Sequence, residues 1–339
     1  MNFEMPQFAM AAPEIWLGIM VCVVLIADLF DRSHESRIAF FLTQATLLVA
    51  IGLAVNTHWG VERAITFNGM YVSDSLAAVL KMTVAGLSLV TLGYSRDYLR
   101  QRDLLKGEFY LLAIMANLGM FVMASASSLL VLYVGLEMLS LSLYAMVAFD
   151  RDSHNGAEAA MKYFVLGALS SGMLLYGMSM IYGASGSLLI DEVAAQAVAG
   201  NNLLLMGFGM TFALVGVAFK FGAAPFHMWI PDVYQGAPTA ATAFLGTAPK
   251  IAALALFLRL LVDGLGELHS QWQGMAVILA VGSLAIGNLF ALVQTNLKRM
   301  LAYSTISHIG FLFLGLIAGT SEGYAAALFY AISYGIMAS

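Results

Sequence analysis

The chain has 339 residues, of which 61% are hydrophobic and 10% charged, and its mean hydropathy is +0.85. A soluble domain carries roughly 25% charged residues, so the composition excludes one and describes a polytopic membrane protein. The single cysteine, Cys22, excludes an intrachain disulfide, a Cys-ligated iron–sulfur cluster and a CxxC redox pair.

About eleven apolar stretches near 20 residues long follow one another, at roughly 13–30, 38–57, 73–94, 109–125, 129–149, 159–183, 203–222, 239–262, 274–295, 300–319 and 323–339. Each is long enough to cross a hydrocarbon core of about 30 Å at about 1.5 Å per residue. None alternates as the strands of an outer-membrane barrel do. The fold class expected is therefore all-α, a polytopic transmembrane helix bundle.

The first stretch is preceded by Glu4 and by no Lys or Arg, so it reads as a mature helix and not a signal peptide. With the N-terminus outside, the odd-numbered loops hold Arg32, Arg37, Arg96, Arg100, Arg102, Lys106, Arg151, Lys298 and Arg299, and the opposite loops hold Arg63. The positive-inside rule then puts the N-terminus on the periplasmic side of a cell inner membrane. Loops are short throughout, so chemistry is expected inside the bundle or on a partner. The run from Tyr324 to Ser339 stops mid-pattern, and the chain is expected to be truncated at its C-terminus.

Ionisable residues inside such spans are the ones to explain. A charge at a helix centre costs roughly 2.5–3.5 kcal/mol on insertion scales, and a buried ammonium relieves that cost by shedding its proton. Asp74 and Lys81, seven residues apart in the third span, read as a structural or interfacial pair. Glu137 lies near the middle of the fifth span, Lys250 in the eighth and His308 in the tenth. Lys162, four residues after Glu158, fits either a snorkelling surface pair or a place in a proton relay. Arg259, near the outer end of the eighth span, is expected to snorkel.

Lys220 precedes a stretch crowded with Gly222, Pro225, Pro231, Gly236 and Pro238, and Pro249 directly precedes Lys250. Proline removes a donor, and broken helices carrying midplane charge are a feature of transporters. The helix bearing Lys220 is nonetheless expected to continue past Gly222 through Phe226 to Ile230, because that segment stays apolar. Glu137, Lys220 and Lys250 then read as a proton relay, or alternatively as a static ion pair joining helices. His308 either relays protons or is a neutral ring bonded to Ser304, Thr305 or Ser307, and His227 is equally open. No metal site, haem pair, GxGxxG turn or nucleic-acid partner is expected.

Three stretches carry a resemblance: EAAMKYFVLGALSSG from Glu158, FKFGAAPFHMWIPDVYQGAPT from Phe219, and GNLFALVQTNLKRMLAYSTISHIGF from Gly287. They resemble the antiporter-like membrane subunits of respiratory complex I, strongest from Glu108 to Ser339. The resemblance implies about fourteen helices with two inverted five-helix repeats, each holding a broken helix. On that basis residues 1–107 are three N-terminal helices, 108–262 the first repeat, and 263–339 the incomplete start of the second. It further implies that Glu137, Lys220, Lys250 and Lys162 occupy the family's relay positions. NAD, FMN, iron–sulfur clusters and quinone are implied in partner subunits, with none in this chain; partners are the other membrane-arm and peripheral subunits and the lipid bilayer. A Mrp-type sodium/proton antiporter or membrane-bound hydrogenase subunit shares the motifs, and a non-pumping membrane-arm scaffold is the rival of another class.

Overall fold

The computed structural model describes residues 6–31, 36–200 and 202–339; Glu4 and Arg32 lie outside the described residues. Among those residues ten helices are long and apolar enough to cross a membrane. An eleventh helix, α14 (Ser321–Ala338), forms where the last apolar stretch was expected, but Ser321, Glu322 and three tyrosines dilute its hydropathy. The loop before residue 203 holds a further short helix that hydropathy did not single out, with Asp191 and Glu192 in its first turn.

The chain divides into two compact units, residues 1–150 with 238–255, and residues 151–237 with 256–338. In the first unit, α1 (Ala12–Phe30), α2 (Arg37–His58), α3 (Ser75–Gln101), α4 (Gly107–Ala124) and α5 (Leu129–Val147) pack as sequential neighbours, with α1 also against α4. Between α2 and α3 sits a small antiparallel hairpin, β1 (Ala64–Thr66) with β2 (Tyr71–Ser73). An all-helical reading had no place for it. Its turn runs through Phe67, Asn68 and Gly69 at φ of 53°, 54° and 87°, the left-handed region that Asn and Gly enter at least cost.

α4 and α5 approach closely because each presents glycine to the other. A Cβ on Gly119 would lie 2.6 Å from the carbonyl oxygen of Gly135, inside van der Waals contact. The same Cβ would lie 2.7 Å from the amide nitrogen of Leu139, so the close seam brackets Glu137 from Gly135 to Leu139 and sets the position of the turn that carries it.

The second unit contains α6 (His154–Ser185), α7 (Ile190–Val198), α8 (Leu203–Phe221), α9 (Trp229–Gly236), α12 (His269–Leu292), α13 (Leu297–Ile317) and α14. Its main packings are α6 on α8, α6 on α9, α9 on α13, and α12 on α13. α8 ends at Phe221, which corrects the expectation that the helix runs on to Ile230. Gly222 takes φ +79°, and the amides of Gly222 and Ala223 both donate to the carbonyl of Ala218 at 2.9 Å, a helix-ending turn that overrides the apolar character beyond it. The freed carbonyl of Phe219 accepts from the indole of Trp229 at 3.0 Å, and the amide of Ala224 donates to Ser283 Oγ at 2.9 Å. Irregular backbone inside a bundle persists only where such partners satisfy it.

The eighth span is also broken, as α10 (Thr239–Gly246) and α11 (Ala248–Phe257), followed by a π-helical turn over Leu258–Asp263. The break falls at Thr247 (φ −113°, ψ −94°), whose hydroxyl lies 3.0 Å and 3.1 Å from the carbonyls of Ala243 and Phe244. Pro249 thereby falls in the first turn of α11, where a missing N–H costs little.

Candidate functional site

Glu137 and Lys250 belong to the first unit, while Lys162, Lys220 and His308 belong to the second. Glu137 lies mid-way along α5; its Oε1 is buried and has no hydrogen-bond partner among the described residues. Lys250 is the third residue of α11 and is 3% exposed, between the Thr247 break and the buried run Ile251 to Leu258. Its position combines deep burial with an interrupted helix, the two features the sequence had pointed to.

In the second unit Lys220 occupies the last turn of α8, where a cation is favoured by the carbonyl end of the helix. Its Nζ lies 3.4 Å from Ser171 Oγ on α6. Lys162 stands on the same helix, about 13 Å closer to its N-terminus by helical rise.

Lys162 is not in an isolated pair. Its ammonium is 2.8 Å from Glu158, as the i,i+4 spacing anticipates, and also 2.8 Å from Asp232 on α9. Asp232 in turn takes Arg299 of α13 at 2.7 Å, and Arg299 also donates to Gln235 at 3.1 Å. Lys298 donates to the carbonyl of Ala237 at 3.1 Å. These contacts hold the segment after the helix break to both α6 and α13, and Asn155, Glu158, Lys162, Asp232 and Gln235 line a polar cavity of about 190 Å³. Partial burial alone would raise the Asp232 carboxyl, but hydrogen bonds from Lys162 and Arg299 outweigh it and hold the group below its ordinary value. Asp232 escaped the sequence reading, and Arg299 was counted there only as a loop charge; the signal was the acid inside FHMWIPDV, read there as part of a motif and not as a charge.

His308 bonds Tyr330 through Nδ1 at 2.7 Å and lies against the ring of Tyr334 at 4.8 Å between centroids. The described bond is thus to a tyrosine of α14 and not to Ser304, Thr305 or Ser307; Thr305 instead accepts from Tyr334 at 2.8 Å. Arg259 does not snorkel: it is 3% exposed and pairs with Asp263 at 3.1 Å, both within the π-helical turn. Lys81 is fully buried, with an ion pair to Glu14, a residue that the apolar surroundings of the first span concealed. Among the described residues no group of three or more His, Cys, Asp or Glu side chains converges to hold a metal ion.

Broken helices with ionisable side chains held inside a multi-pass bundle define a class of helical membrane subunit. The family model described as NADH:quinone oxidoreductase/Mrp antiporter, TM, matches residues 126–339, and the chain belongs to that family. NADH-quinone oxidoreductase subunit N of Alkalilimnicola ehrlichii is 60% identical over 339 residues, covering all of this chain and 69% of that protein. The subunit N of Halorhodospira halophila is likewise 60% identical, covering all of this chain and 70% of that protein. In the solved respiratory complex I from Thermus thermophilus with bound aureothin, one chain is 33% identical with a TM-score of 0.79, covering 96% of this chain and 69% of that one. A chain of the Mrp complex from Dietzia sp. shares the fold at a TM-score of 0.83 and 19% identity, covering 98% of this chain and 63% of that one. Subunit N is also the subunit that the VYQGAP wording after Asp232 favours within the resemblance.

Proposed function

We propose that the chain acts as the proton-translocating subunit N of an NADH-quinone oxidoreductase, with Lys250, Lys220 and Glu137 as the groups that hold and pass protons. Partner subunits of the complex supply NADH oxidation, FMN, iron–sulfur clusters and quinone reduction, and this chain turns their charge or conformational change into proton transfer. The observation that carries the reading is Lys250: a lysine buried at 3% exposure directly after a helix break. A charge so placed is expensive, and a helix interruption supplies the irregular backbone that ion pathways use. Lys162, in its network with Asp232 and Arg299, supplies protons from the cytoplasmic side, and His308 with Tyr330 extends the relay. In the proposed orientation the N-terminus faces the periplasm.

The test uses the assembled complex reconstituted in vesicles. Glu137→Gln and Lys220→Met should each lower proton pumping relative to wild type. Wild-type pumping by both assembled variants overturns the assignment. A scaffold role would instead leave pumping intact after charge removal while disruption of helix seams, as by Gly119→Val, prevents assembly.

A further inference from the structure

One side chain holds the break that precedes Lys250. Thr247 is fully buried. Its amide donates to the carbonyl of Phe244 at 3.3 Å, where a continuous helix would have it donate to Ala243. The hydroxyl fills that gap, lying 3.0 Å from the Ala243 carbonyl and 3.1 Å from that of Phe244. Since Phe244 already takes the amide, the hydroxyl proton serves Ala243. Other threonines make the same side-chain bond, Thr46 to Leu42 at 2.6 Å and Thr83 to Val79 at 2.8 Å, but within the unbroken helices α2 and α3. There the hydroxyl adds to the backbone ladder. At Thr247 it replaces a rung.

Lys250 takes its orientation from that residue. Its amide donates to the Thr247 carbonyl at 3.0 Å. On the near side α10 is anchored: it packs on α3 and α5, and the amide of Thr239, its first residue, donates to the Tyr98 hydroxyl at 3.1 Å. On the far side α11 has little of its own with which to choose a rotation. Its sequence, APKIAALALF, holds Lys250 as the one polar side chain, and every residue in it is buried. A surface helix is oriented by its apolar stripe, and a helix apolar all round has none. Uniform packing of alanine and leucine under-specifies the arrangement, so the polar tie decides it.

We propose that Thr247 is the positioning residue for Lys250: by donating its hydroxyl to Ala243 it keeps α10 and α11 as two helices and sets the direction in which the lysine points. Without the hydroxyl, the Thr247 amide is drawn back to the Ala243 carbonyl and the helix runs on, turning Lys250 relative to α10. Continuation also presses the Pro249 ring against the carbonyl of Leu245, four residues before it. The assignment rests on the proposed function, in which Lys250 holds and passes a proton.

Thr247→Val keeps the branched shape and deletes the hydroxyl, whereas Thr247→Ser keeps the hydroxyl. In the assembled complex reconstituted in vesicles, Thr247→Val should pump no better than Lys250→Met, and Thr247→Ser should pump as wild type. Thr247→Val combined with Lys250→Met should fall no lower than Lys250→Met alone, because the threonine acts through the lysine. Wild-type pumping by Thr247→Val, an equal loss in Thr247→Ser, or a further loss in the combined variant each overturns the assignment. Should Thr247→Val not assemble, adding Pro249→Ala lets the helix run on without the ring. That variant should assemble and still pump no better than Lys250→Met; wild-type pumping or failed assembly overturns the proposal equally. Amide hydrogen exchange over residues 243–251 separates this proposal from the proposed function. If Lys250→Met pumps as wild type, the role of Lys250 falls. Exchange altered in Thr247→Val but not in Thr247→Ser then leaves Thr247 as the residue that sets the break, and exchange unaltered in both removes that as well.

Discussion

Lys81 and Lys162 each draw several partners from different helices, yet the two clusters differ in what surrounds them. Lys81 is at 0% side-chain exposure and Glu14 at 9%, whereas Lys162 is at 43% and Glu158 at 53%. The first cluster is shut off from water, so removing the charge on one side of the ion pair leaves the other buried with no solvent to replace it. The second remains wet, and water and salt take over when a partner is lost. Ion pairs of similar length therefore have unlike worth, decided by exposure.

The largest effect expected is for Lys81→Met, which strands the Glu14 carboxyl and should cost about 3–5 kcal/mol. Thermal unfolding of the assembled complex measures it, and Glu14→Leu combined with Lys81→Met should recover much of the loss. A double variant no better than Lys81→Met would mean that the site is not governed by charge pairing. Next comes His58→Phe, which removes the ring nitrogens that lie 2.8 Å from the Lys81 ammonium and 2.6 Å from Ser73 Oγ, at about 1–3 kcal/mol.

In the exposed cluster Asp232→Asn removes the acceptor shared by Lys162 and Arg299 and should cost about 1 kcal/mol or less. Because the native Asp232 pKa is lowered, the contribution is present above the ordinary carboxylate range and is lost as pH falls through the lowered value. Wild type and Asp232→Asn should thus converge in stability in acid, and a gap that widens as pH falls would contradict the assignment. Lys162→Met should have the smallest effect on stability, vanishing at high salt. If Lys162→Met proves as damaging as Lys81→Met, exposure is not what separates the clusters.

The sequence made much of this legible. The spans and the placement of Glu137 and Lys250 within them follow from apolar run length, which is a local property; the helix end after Lys220 did not, because the apolar segment beyond Gly222 pointed to continuation. The Glu158–Lys162 pair was readable for the same reason, since four residues on a helix are neighbours. Glu14 was not, because its partners come from α2, β2 and α3, up to 67 residues away. Asp232 had a similar distance to cover, 67 residues to Arg299. Arg259 looked like a snorkelling residue because hydropathy gives depth along a helix but not which face meets protein.

By itself the sequence determined a helical membrane protein, its family, and which side chains are anomalous at membrane depth, because bilayer thickness and backbone satisfaction leave few alternatives. Only the tertiary structure decided where the seventh span stops, since Gly222 closes a turn whose freed groups need Trp229 and Ser283 to satisfy them. Only it decided that Lys81, once a minor charge in the third span, shares its ammonium among three elements. Helix periodicity tells which residues share a face; the partner of that face is set by packing between distant segments, and packing is where each buried charge acquired its chemistry.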